Sequence, residues 1–521
     1  MKRSYRVLAA AIIALIGAVI TAHAQVPAEW VTAKSELTSR LNDIYAAAQA
    51  RWDGQPHCSA FAGNLLLANS NRGYQLFSQT PPGAPNAPYQ NALLLKIDTM
   101  IMAYAKLGYT AVDITIQYPV LVPSFPNSAG YLSFYRRVYA LARRRGMKII
   151  EGCEATFVDT TFGEKYLARD VEQYYFNPDG NAATNDSLTG ERYRHEKLQM
   201  LQVIADSLRP DYLTVENEPV TQETNMSHLV DFSPASVAGY VKYFTDNLRH
   251  DGILIGTGAG SWDNLQYFRD AAASNVDYLD YHIYPVNLNE VDDAAFVIDS
   301  IAKQSGKRIV IGEAWCYKLS NAELLSGTDP VATAQKVFAR DVFDYWQDVD
   351  QLFVKAMVKL AQGARMDMVS LFWSTYMFGQ IRYDSATFAN LTPAQTLAVG
   401  NEYAYQRLFA MTPSPLGLYA RDAIAGMCTT SSVRERGTAL QETILTAGPA
   451  GTLTVTRSDT DDDVMTVEVI DMLGAVVGAG SAGPGERSLV IAEPLATGAY
   501  LVRIRRGASA EVRKLIVTGG N

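Results

Sequence analysis

The sequence has little positive charge and few histidines. Lys and Arg number 45 against 54 Asp and Glu in 521 residues, which gives a formal net charge of −9 at pH 7. Because binding to a phosphate backbone requires a basic surface, this balance disfavours nucleic acid as a partner. The six histidines include no His-x-His or His-Glu-x-x-His pair, the spacings typical of metal-dependent hydrolases. With 48% hydrophobic residues, we expect a globular chain that needs neither a metal nor a cofactor.

Long apolar runs are missing after the first 24 residues. Lys2, Arg3 and Arg6 precede an apolar run over Leu8–Ile20, and Ala22-His23-Ala24 forms a small-x-small site. The run is shorter than the ~20 residues of a membrane-spanning helix. These features predict a secretory signal peptide over residues 1–24, with an uncleaved anchor as the alternative. We therefore expect a secreted or cell-surface protein with no membrane-spanning segment after cleavage.

Cysteine is also scarce for an exported chain. The four residues, Cys58, Cys153, Cys316 and Cys428, are widely separated and form no Cys-x-x-Cys pair, which disfavours a structural zinc site. One disulfide can form, and the spacing does not say which. Because a chain of this size does not depend on covalent staples, we favour mostly buried free thiols.

Alternating strand-like and helical stretches fill residues 55–415. Eight such repeats predict a (β/α)8 TIM barrel over residues 25–415, with a doubly wound open sheet as the alternative. Asn64–Ala68 is expected to be the first strand, and Gln335–Gln362 a single helix. The glycine-rich run Gly256–Gly260 lacks the lysine of a phosphate-binding loop and is interpreted as a tight turn.

The pattern changes after residue 415. Residues 416–448 are interpreted as a linker, and residues 449–521 as a small all-β sandwich, because period-two alternation replaces helical periodicity. The five expected strands are Thr452–Thr456, Met465–Ile470, Ser488–Ile491, Ala499–Arg505 and Val512–Val517.

Two acidic residues stand where the fourth and seventh predicted strands end. Tyr212–Val215 is followed by Glu216-Asn217-Glu218-Pro219, and Ile309–Ile311 is followed by Gly312-Glu313. In a barrel of this type the carboxyl ends of all strands meet at one face, where the chemistry takes place. Two carboxylates that face each other across one mouth are what glycoside hydrolysis requires.

Asn217-Glu218-Pro219 together with Gly312-Glu313 resembles clan A of the retaining glycoside hydrolases, over the length of the barrel. The resemblance implies cleavage of β-glycosidic bonds in a poly- or oligosaccharide. Glu218 would be the general acid and then the base, and Glu313 the nucleophile. It further implies that Asn217 hydrogen-bonds the sugar 2-hydroxyl.

Other positions at the strand ends are expected to bind substrate. The resemblance implies a polar contact from His282, a hydroxyl from Tyr284 that holds Glu313, and a sugar-stacking ring from Trp373. Trp262 and Gln117 are expected to line the cleft because they follow the fifth and second strands. Either Glu151 or Glu154 can touch substrate as well, and Glu216 is interpreted as structural.

The sequence departs from the cellulase-containing family of the clan, which usually has an Arg near the end of strand two and a His after strand three. Here those ends read Gln117-Tyr118 and Glu151-Gly152-Cys153-Glu154. The resemblance therefore extends to the clan and to no family within it. A non-catalytic carbohydrate-binding barrel, which would keep the aromatic residues without the chemistry, is the alternative function.

The C-terminal segment resembles the sorting domain of the bacterial type IX secretion system. The resemblance rests on the order strand, Asp471-Met472-Leu473-Gly474, strand, Gly498-Ala499-Tyr500, strand, with Arg513–Val517 at the end. It implies that secretion machinery is a partner of this domain. A generic β-sandwich accessory domain is the alternative.

Overall fold

A computed structural model describes residues 26–521 with gaps. The residues left out after residue 26 are 69–75, 78–83, 155–170, 172–173, 177–186, 289–290, 327–329, 389, 429–442, 448–451, 458–463, 472–475, 484–485, 487, 492–494, 497, 507–508 and 518–521. The predicted signal peptide lies outside the described residues. The chain divides into two compact units, Met1–Thr430 and Ser431–Asn521.

The first unit is built on a closed barrel of eight parallel strands. The strands follow one another around the barrel in chain order, and the first pairs with the last. This confirms the predicted TIM barrel. The strands are β1 Ala60–Asn64, β2 Ala111–Thr115, β3 Lys148–Gly152, β4 Tyr212–Glu216, β5 Leu254–Gly260, β6 Tyr278–Ile283, β7 Arg308–Ala314 and β8 Met368–Leu371.

Helices connect the strands and surround the barrel. The described α-helices are α1 Ala28–Arg51, α2 Ala87–Lys106, α3 Ser128–Arg144, α4 Gly190–Ser207, α5 Pro219–Asn225, α6 Pro234–Asn247, α7 Gln266–Ala272, α8 Val291–Ser305, α9 Asn321–Ser326, α10 Pro330–Asp341, α11 Gln347–Gly363, α12 Ser385–Phe388, α13 Pro393–Phe409 and α14 Pro415–Met427. No helix in the described part of the chain is both long and apolar enough to cross a membrane.

Helix α2 shows why these segments become helices. The Asn86 side chain caps its first turn by accepting from the Tyr89 backbone N–H. Leu93, Ile97 and Ile101 recur every four residues and are buried on one face, which packs into the core of the barrel unit. The helical period of the apolar residues thus decides both the element and the side that it buries.

The first strand lies four residues earlier than predicted. Strand β1 spans Ala60–Asn64, and the apolar residues after it form a short 3₁₀ helix, Leu66–Ala68. The Leu65 N–H donates to the Asp113 carbonyl, and the Ala68 N–H donates to the Leu65 carbonyl, which turns the chain. A short apolar run fits a strand or a buried turn equally well, and the pairing with β2 and β8 decides between them.

The glycine-rich run is a strand and not the turn that the sequence suggested. Gly256–Gly260 completes β5, because the neighbouring strand β6 leaves no space for side chains there. A Cβ on Gly256 would lie 2.1 Å from the Tyr278 ring, and one on Gly258 would lie 1.6 Å from the Asp280 carbonyl oxygen. Glycine is required here because the two strands approach each other closely, and the run of glycines does not indicate a loop.

The helix predicted over Gln335–Gln362 is interrupted. Helix α10 ends at Asp341, a 3₁₀ turn follows over Asp344–Trp346, and α11 begins at Gln347. The break arises because the backbone of residues 342–344 pairs with Ile381: the Ile381 N–H donates to Val342, and the Asp344 N–H donates to Ile381. A contact with a residue so distant in the chain leaves no local signal.

The stretch predicted as a linker, residues 416–448, contains two regular elements. Helix α14 occupies its first part, since Ser414 caps the helix, Pro415 fits its first turn and Leu416 is buried. Strand β9, Thr443–Ala447, lies near its end. Cys428, directly after α14, forms a disulfide with Cys58 before β1, whereas Cys153 and Cys316 are buried free thiols. The preference for free thiols was therefore wrong for two of the four cysteines.

The second unit consists of two antiparallel sheets, which confirms the predicted all-β domain. Its sheets have the orders β13-β10-β9 and β12-β11-β14-β15. Five of the strands were predicted, while β9 and β12 were not. The strands after β9 are β10 Leu453–Arg457, β11 Met465–Asp471, β12 Val476–Ala482, β13 Ser488–Ile491, β14 Gly498–Arg506 and β15 Ser509–Val517.

Candidate active site

Glu218 stands where the chain leaves strand β4 and enters helix α5. Its backbone adopts the left-handed conformation, with φ 43° and ψ 59°, and Pro219 then starts the helix. This conformation is unfavourable for a residue with a side chain, and such residues cluster at functional sites. The sharp turn separates Glu218 from Glu216, although period-two alternation would direct both side chains alike.

Glu216 and Glu151 are held away from the mouth by surrounding helices. The buried Glu216 carboxylate accepts hydrogen bonds from Tyr193 of α4 and from Gln222 of α5, and the Lys197 Nζ lies 3.5 Å from it. Glu151 is likewise buried and accepts from the Tyr139 hydroxyl of α3. These bonds agree with the structural role that the sequence suggested for Glu216.

His282 lies between two carboxylates at the end of β6. Its Nδ1 is 2.7 Å from Glu218 Oε1, and its Nε2 is 3.6 Å from Asp280 Oδ2. Asp280 also accepts a 2.7 Å hydrogen bond from the Thr214 hydroxyl. Burial is the largest influence and lowers the pKa of His282, but Asp280 and Glu218 together raise it well above its usual value. The two neighbouring acids therefore favour the protonated form of the imidazole.

Glu313 occupies an irregular end of strand β7. The register of β7 shifts against both neighbouring strands at this point, and Gly312 lies against Asp280, whose Oδ1 would be 2.3 Å from an added Cβ. The Tyr284 hydroxyl donates to Glu313 Oε2 at 3.2 Å. Burial first and the charge of Glu154 second raise the pKa of Glu313 well above its usual value, while His282 acts to lower it.

A third carboxyl group joins the site from the end of strand β3. Glu154 Oε1 accepts a 3.0 Å hydrogen bond from Asn217 Nδ2, and burial with the nearby charge of Glu218 raises the pKa of Glu154 to about 7. One ligand atom each of Glu154, His282 and Glu313 lies within 4.8 Å of the others, so among the described residues these three could hold a metal ion if His282 were neutral. The sequence left Glu154 open, and its position after a barrel strand was the available signal.

A narrow cavity opens at the centre of these residues. It leaves room for a group about the size of a water molecule. Asp113 of β2 and Asp280 of β6 extend the acidic wall into the barrel, and sequence reasoning did not single out either one. The polar and charged residues that line the cavity include Asp113, Glu154, Asn217, Asp280, His282 and Glu313.

Aromatic rings border the site on the side of Tyr284. Its ring centroid lies 5.1 Å from that of Tyr317, 6.1 Å from that of Trp262 and 6.4 Å from that of Phe372. Trp262 is thus placed beside the site as expected. Trp373 stands one ring further away, 5.1 Å from Phe372. Tyr317 and Phe372, which the sequence analysis did not select, follow β7 and β8 and are both partly exposed.

Gln117, which the sequence predicted to line the cleft, follows strand β2. It is completely buried, and its carbonyl accepts from the Val120 N–H. A cis peptide between Tyr118 and Pro119 follows it. Gln117 is not among the described residues that line the cavity.

The C-terminal unit matches a known family model. Residues 449–518 match the model described as secretion system C-terminal sorting domain. This confirms the resemblance drawn from the sequence for this segment. A search of the curated proteins finds no match to the chain.

The chain is similar in structure to several solved proteins. GH5_18 from Streptomyces cattleya in complex with GlcNAc shares 12% identity, with coverage of 72% of this chain and 82% of that one and a TM-score of 0.44. A GH30 endoxylanase from Clostridium papyrosolvens C71 shares 11%, covering 84% and 93%, with a TM-score of 0.38. A modular endo-β-1,4-mannanase from Cellulomonas fimi shares 14%, covering 93% and 98%, with a TM-score of 0.36.

Proposed function

We propose that the barrel is a retaining glycoside hydrolase that cleaves β-glycosidic bonds of a poly- or oligosaccharide. The observation that carries this proposal is that two residues at one strand end form hydrogen bonds to two acids from opposite parts of the barrel. His282 lies near the end of strand β6 and Tyr284 directly follows the strand, and these residues bond to Glu218 and Glu313 respectively. One strand end thus fixes both carboxyl groups at the same mouth, as two-carboxylate glycoside hydrolysis requires.

Glu218 acts as the acid and then as the base. It gives its proton to the leaving oxygen while the glycosidic bond breaks, and it later takes a proton from the water that attacks the sugar. The cationic His282 orients the carboxyl group through the 2.7 Å contact and stabilises the carboxylate that forms on proton transfer.

Glu313 acts as the nucleophile. Its carboxylate attacks the anomeric carbon, and the covalent glycosyl-enzyme is then hydrolysed. The nucleophile must be ionised, although burial and Glu154 oppose ionisation. The hydrogen bond from Tyr284 and the positive charge of His282 favour the ionised form.

The rings around Tyr284 are the proposed sugar platform. Trp262, Tyr317 and Phe372 are partly exposed beside Glu313, and flat apolar faces suit the apolar faces of sugar rings. Trp373, which lies next to Phe372 and is also partly exposed, is a further candidate to stack on a sugar ring. Asn217 lies between Glu154 and His282, where it can reach the substituent on carbon 2 of the bound sugar.

Export is proposed from the C-terminal unit. A sorting domain at residues 449–518 supports delivery to the cell surface or the medium by the type IX machinery, after the predicted signal peptide has carried the chain across the inner membrane.

The roles of the two acids can be separated with azide. On an aryl β-glycoside with a good leaving group, Glu218→Ala still forms the glycosyl-enzyme, and azide attacks it without a base. We expect azide to restore turnover and to give a β-glycosyl azide. Glu313→Ala cannot form the intermediate, so azide should give the α-product. Exchange of these two outcomes would reverse the assignment. Sugar binding without cleavage of any β-glycoside by the native chain would favour the carbohydrate-binding alternative.

A further inference from the structure

The cavity beneath the two acids carries an unusual excess of carboxyl groups. Four acidic side chains line it, and the only basic side chain in its described lining is one imidazole, with no lysine or arginine. Glu218, bonded to that imidazole, adds a fifth carboxyl group. The four that line the cavity are Asp113, Glu154, Asp280 and Glu313. A neutral sugar needs no such concentration of negative charge.

Two of the carboxyl groups in this cavity keep their protons to a higher pH than usual, because they are buried close to other acids. Burial is the main cause that raises the pKa of Asp113 to about 6 and that of Glu154 to about 7. Neighbouring carboxylates add to the effect: Asp280 raises the pKa of Asp113, and Glu218 raises that of Glu154. A bound cation would take over the role of these protons, because it stabilises the ionised carboxylates.

Two oxygen atoms at the cavity have no hydrogen-bond donor in the part of the chain that the structure describes. They are Asn217 Oδ1 and Asp280 Oδ1, and both residues are only 1% exposed. The Asn217 amide group uses its Nδ2 for Glu154, so the atom that it leaves for a ligand is an acceptor. Buried acceptors are rarely left without a donor. The ligand must therefore supply hydrogen-bond donors.

We propose that the site takes a sugar with a free, positively charged amino group on carbon 2, such as a de-N-acetylated glucosaminide, as the unit next to the cleaved bond. This proposal rests on the proposed function, which places the carbon-2 substituent at Asn217. An ammonium group is about the size of water, carries three donors and one positive charge, and so fits the cavity, its acceptors and its acids. A hydroxyl group lacks the charge, and an acetamido group lacks the charge and is larger.

Three oligosaccharides that differ only at carbon 2 test the proposal. The full-length chain is assayed on β-1,4-linked oligomers of glucosamine, glucose and N-acetylglucosamine of equal length. We expect kcat/KM for the glucosamine oligomer to exceed the other two by about tenfold or more. Preference for glucose or N-acetylglucosamine would overturn this inference and leave the proposed function standing. Tightest binding of the glucosamine oligomer, with no cleavage of it or of any aryl β-glycoside, would contradict the proposed function alone. Failure to bind it would overturn the inference.

A charge-neutral variant separates recognition of the amine from folding. Glu154→Gln keeps the shape and removes one carboxylate, so the preference for the glucosamine oligomer over the glucose oligomer should fall by about tenfold. Glu154→Asp should retain most of it. Glu151→Gln, three residues earlier on the same segment, is the matched control, because Glu151 bonds to Tyr139 away from the cavity. An equal fall in the control, or an unchanged ratio in Glu154→Gln, would refute the proposal.

Calorimetry gives an independent measure. Binding of the glucosamine oligomer near pH 6 should release protons, seen as a binding enthalpy that changes with the ionisation enthalpy of the buffer, while the glucose oligomer should release none. Equal release for both would contradict the proposal. In the described part of the chain, the ionisable groups that line the cavity are Asp113 from β2, Glu154 after β3, Asp280 and His282 from β6, and Glu313 from β7. Glu218 and Tyr284 bond to His282 and Glu313 respectively.

Discussion

The two units of this protein treat buried charge in opposite ways. In the barrel unit, Lys197 and Glu216 form an ion pair in which both side chains are 0% exposed, and Lys318 pairs with Asp341 under the same conditions. In the C-terminal unit, the described ion pair, Arg503–Glu468, leaves 39% and 36% of the two side chains exposed. Its described core is apolar apart from the Tyr500 hydroxyl, which donates to a backbone carbonyl.

The two interiors thus differ in whether they contain charged side chains. Buried charge is destabilising unless it is paired, and among the described residues of the C-terminal unit no charged residue is buried. The barrel contains paired buried charges and also, at its mouth, acids whose pKa values burial raises. The contrast leads to four expectations, ordered by the size of the effect.

Replacement of the proposed nucleophile, Glu313, should produce the largest change, a fall in activity. Glu313→Gln should lower kcat by about 10⁴-fold or more, because no covalent intermediate can form. The folded chain should be no less stable to heat, since the substitution removes a carboxyl group that burial and Glu154 disfavour. Steady-state kinetics and thermal unfolding check both parts. Full activity in the variant would contradict the proposed role.

The second-largest effect is expected from removing the positive charge of Lys318 from a buried cluster of charged side chains. Lys318 Nζ lies 2.8 Å from Asp341 and 2.6 Å from Asp350, and all three side chains are buried. Lys318→Met leaves two carboxylates without a counter-charge, which should lower the free energy of unfolding by about 3–5 kcal/mol. Lys242→Met, which breaks the exposed pair with Asp246, should change it by less than about 0.5 kcal/mol. Denaturant titrations compare them, and equal losses would contradict the contrast.

The third effect is a dependence of stability on pH, which we expect in the barrel unit and not in the C-terminal unit. Burial raises the pKa of Asp113 and Asp341 to about 6, so between about pH 4 and pH 7 the folded chain binds more protons than the unfolded chain. Stability is then highest at the acidic end and falls as pH rises through that range. Burial acts to raise the pKa of Glu323, but Arg340 and the hydrogen bonds from Ser320 together lower it, which changes stability in the opposite direction. We expect a net loss on the order of 2 kcal/mol.

Tryptophan fluorescence measures this loss in the barrel unit alone, because all six tryptophans lie at or before Trp373. The C-terminal unit, followed through its tyrosine or its amide signals, should show no comparable trend over the same range. A barrel whose stability rises steadily from pH 4 to pH 7 would contradict the expected sign.

Deletion of residues 449–521 should have the smallest effect on catalysis. The described site residues all belong to the first unit, so kcat/KM should stay within about twofold of the full chain. The truncated protein should accumulate in the periplasm, as fractionation would show. Normal delivery of the truncated protein to the surface would argue against a sorting role, and loss of activity would contradict the independence of the two units.

The sequence was informative where chemistry follows the end of a strand. Glu218 and Glu313 were selected on that basis, and His282 and Tyr284 on the resemblance to the clan. In the structure His282 bonds to Glu218, and Tyr284 bonds to Glu313. Asp280 was missed because it lies within β6, where nothing in the sequence tells which face of a buried strand points into the barrel.

Other features depended on contacts between distant segments. The strand Gly256–Gly260 is explained only by the neighbouring residues Tyr278 and Asp280, and the end of helix α10 only by Ile381. Periodicity describes a segment by itself, so it locates elements that depend on their own pattern and misses those that depend on a partner.

The Cys58–Cys428 disulfide has a mechanical consequence. It joins the residue just before β1 to the residue just after α14, 370 positions later, and so closes the barrel into a covalent ring. A pulling force applied to the chain beyond residue 428 passes through the sulfur atoms directly to Cys58. The eight strands between these cysteines lie outside the load path. A tail held by machinery or by a surface can therefore be pulled without unfolding the barrel unit.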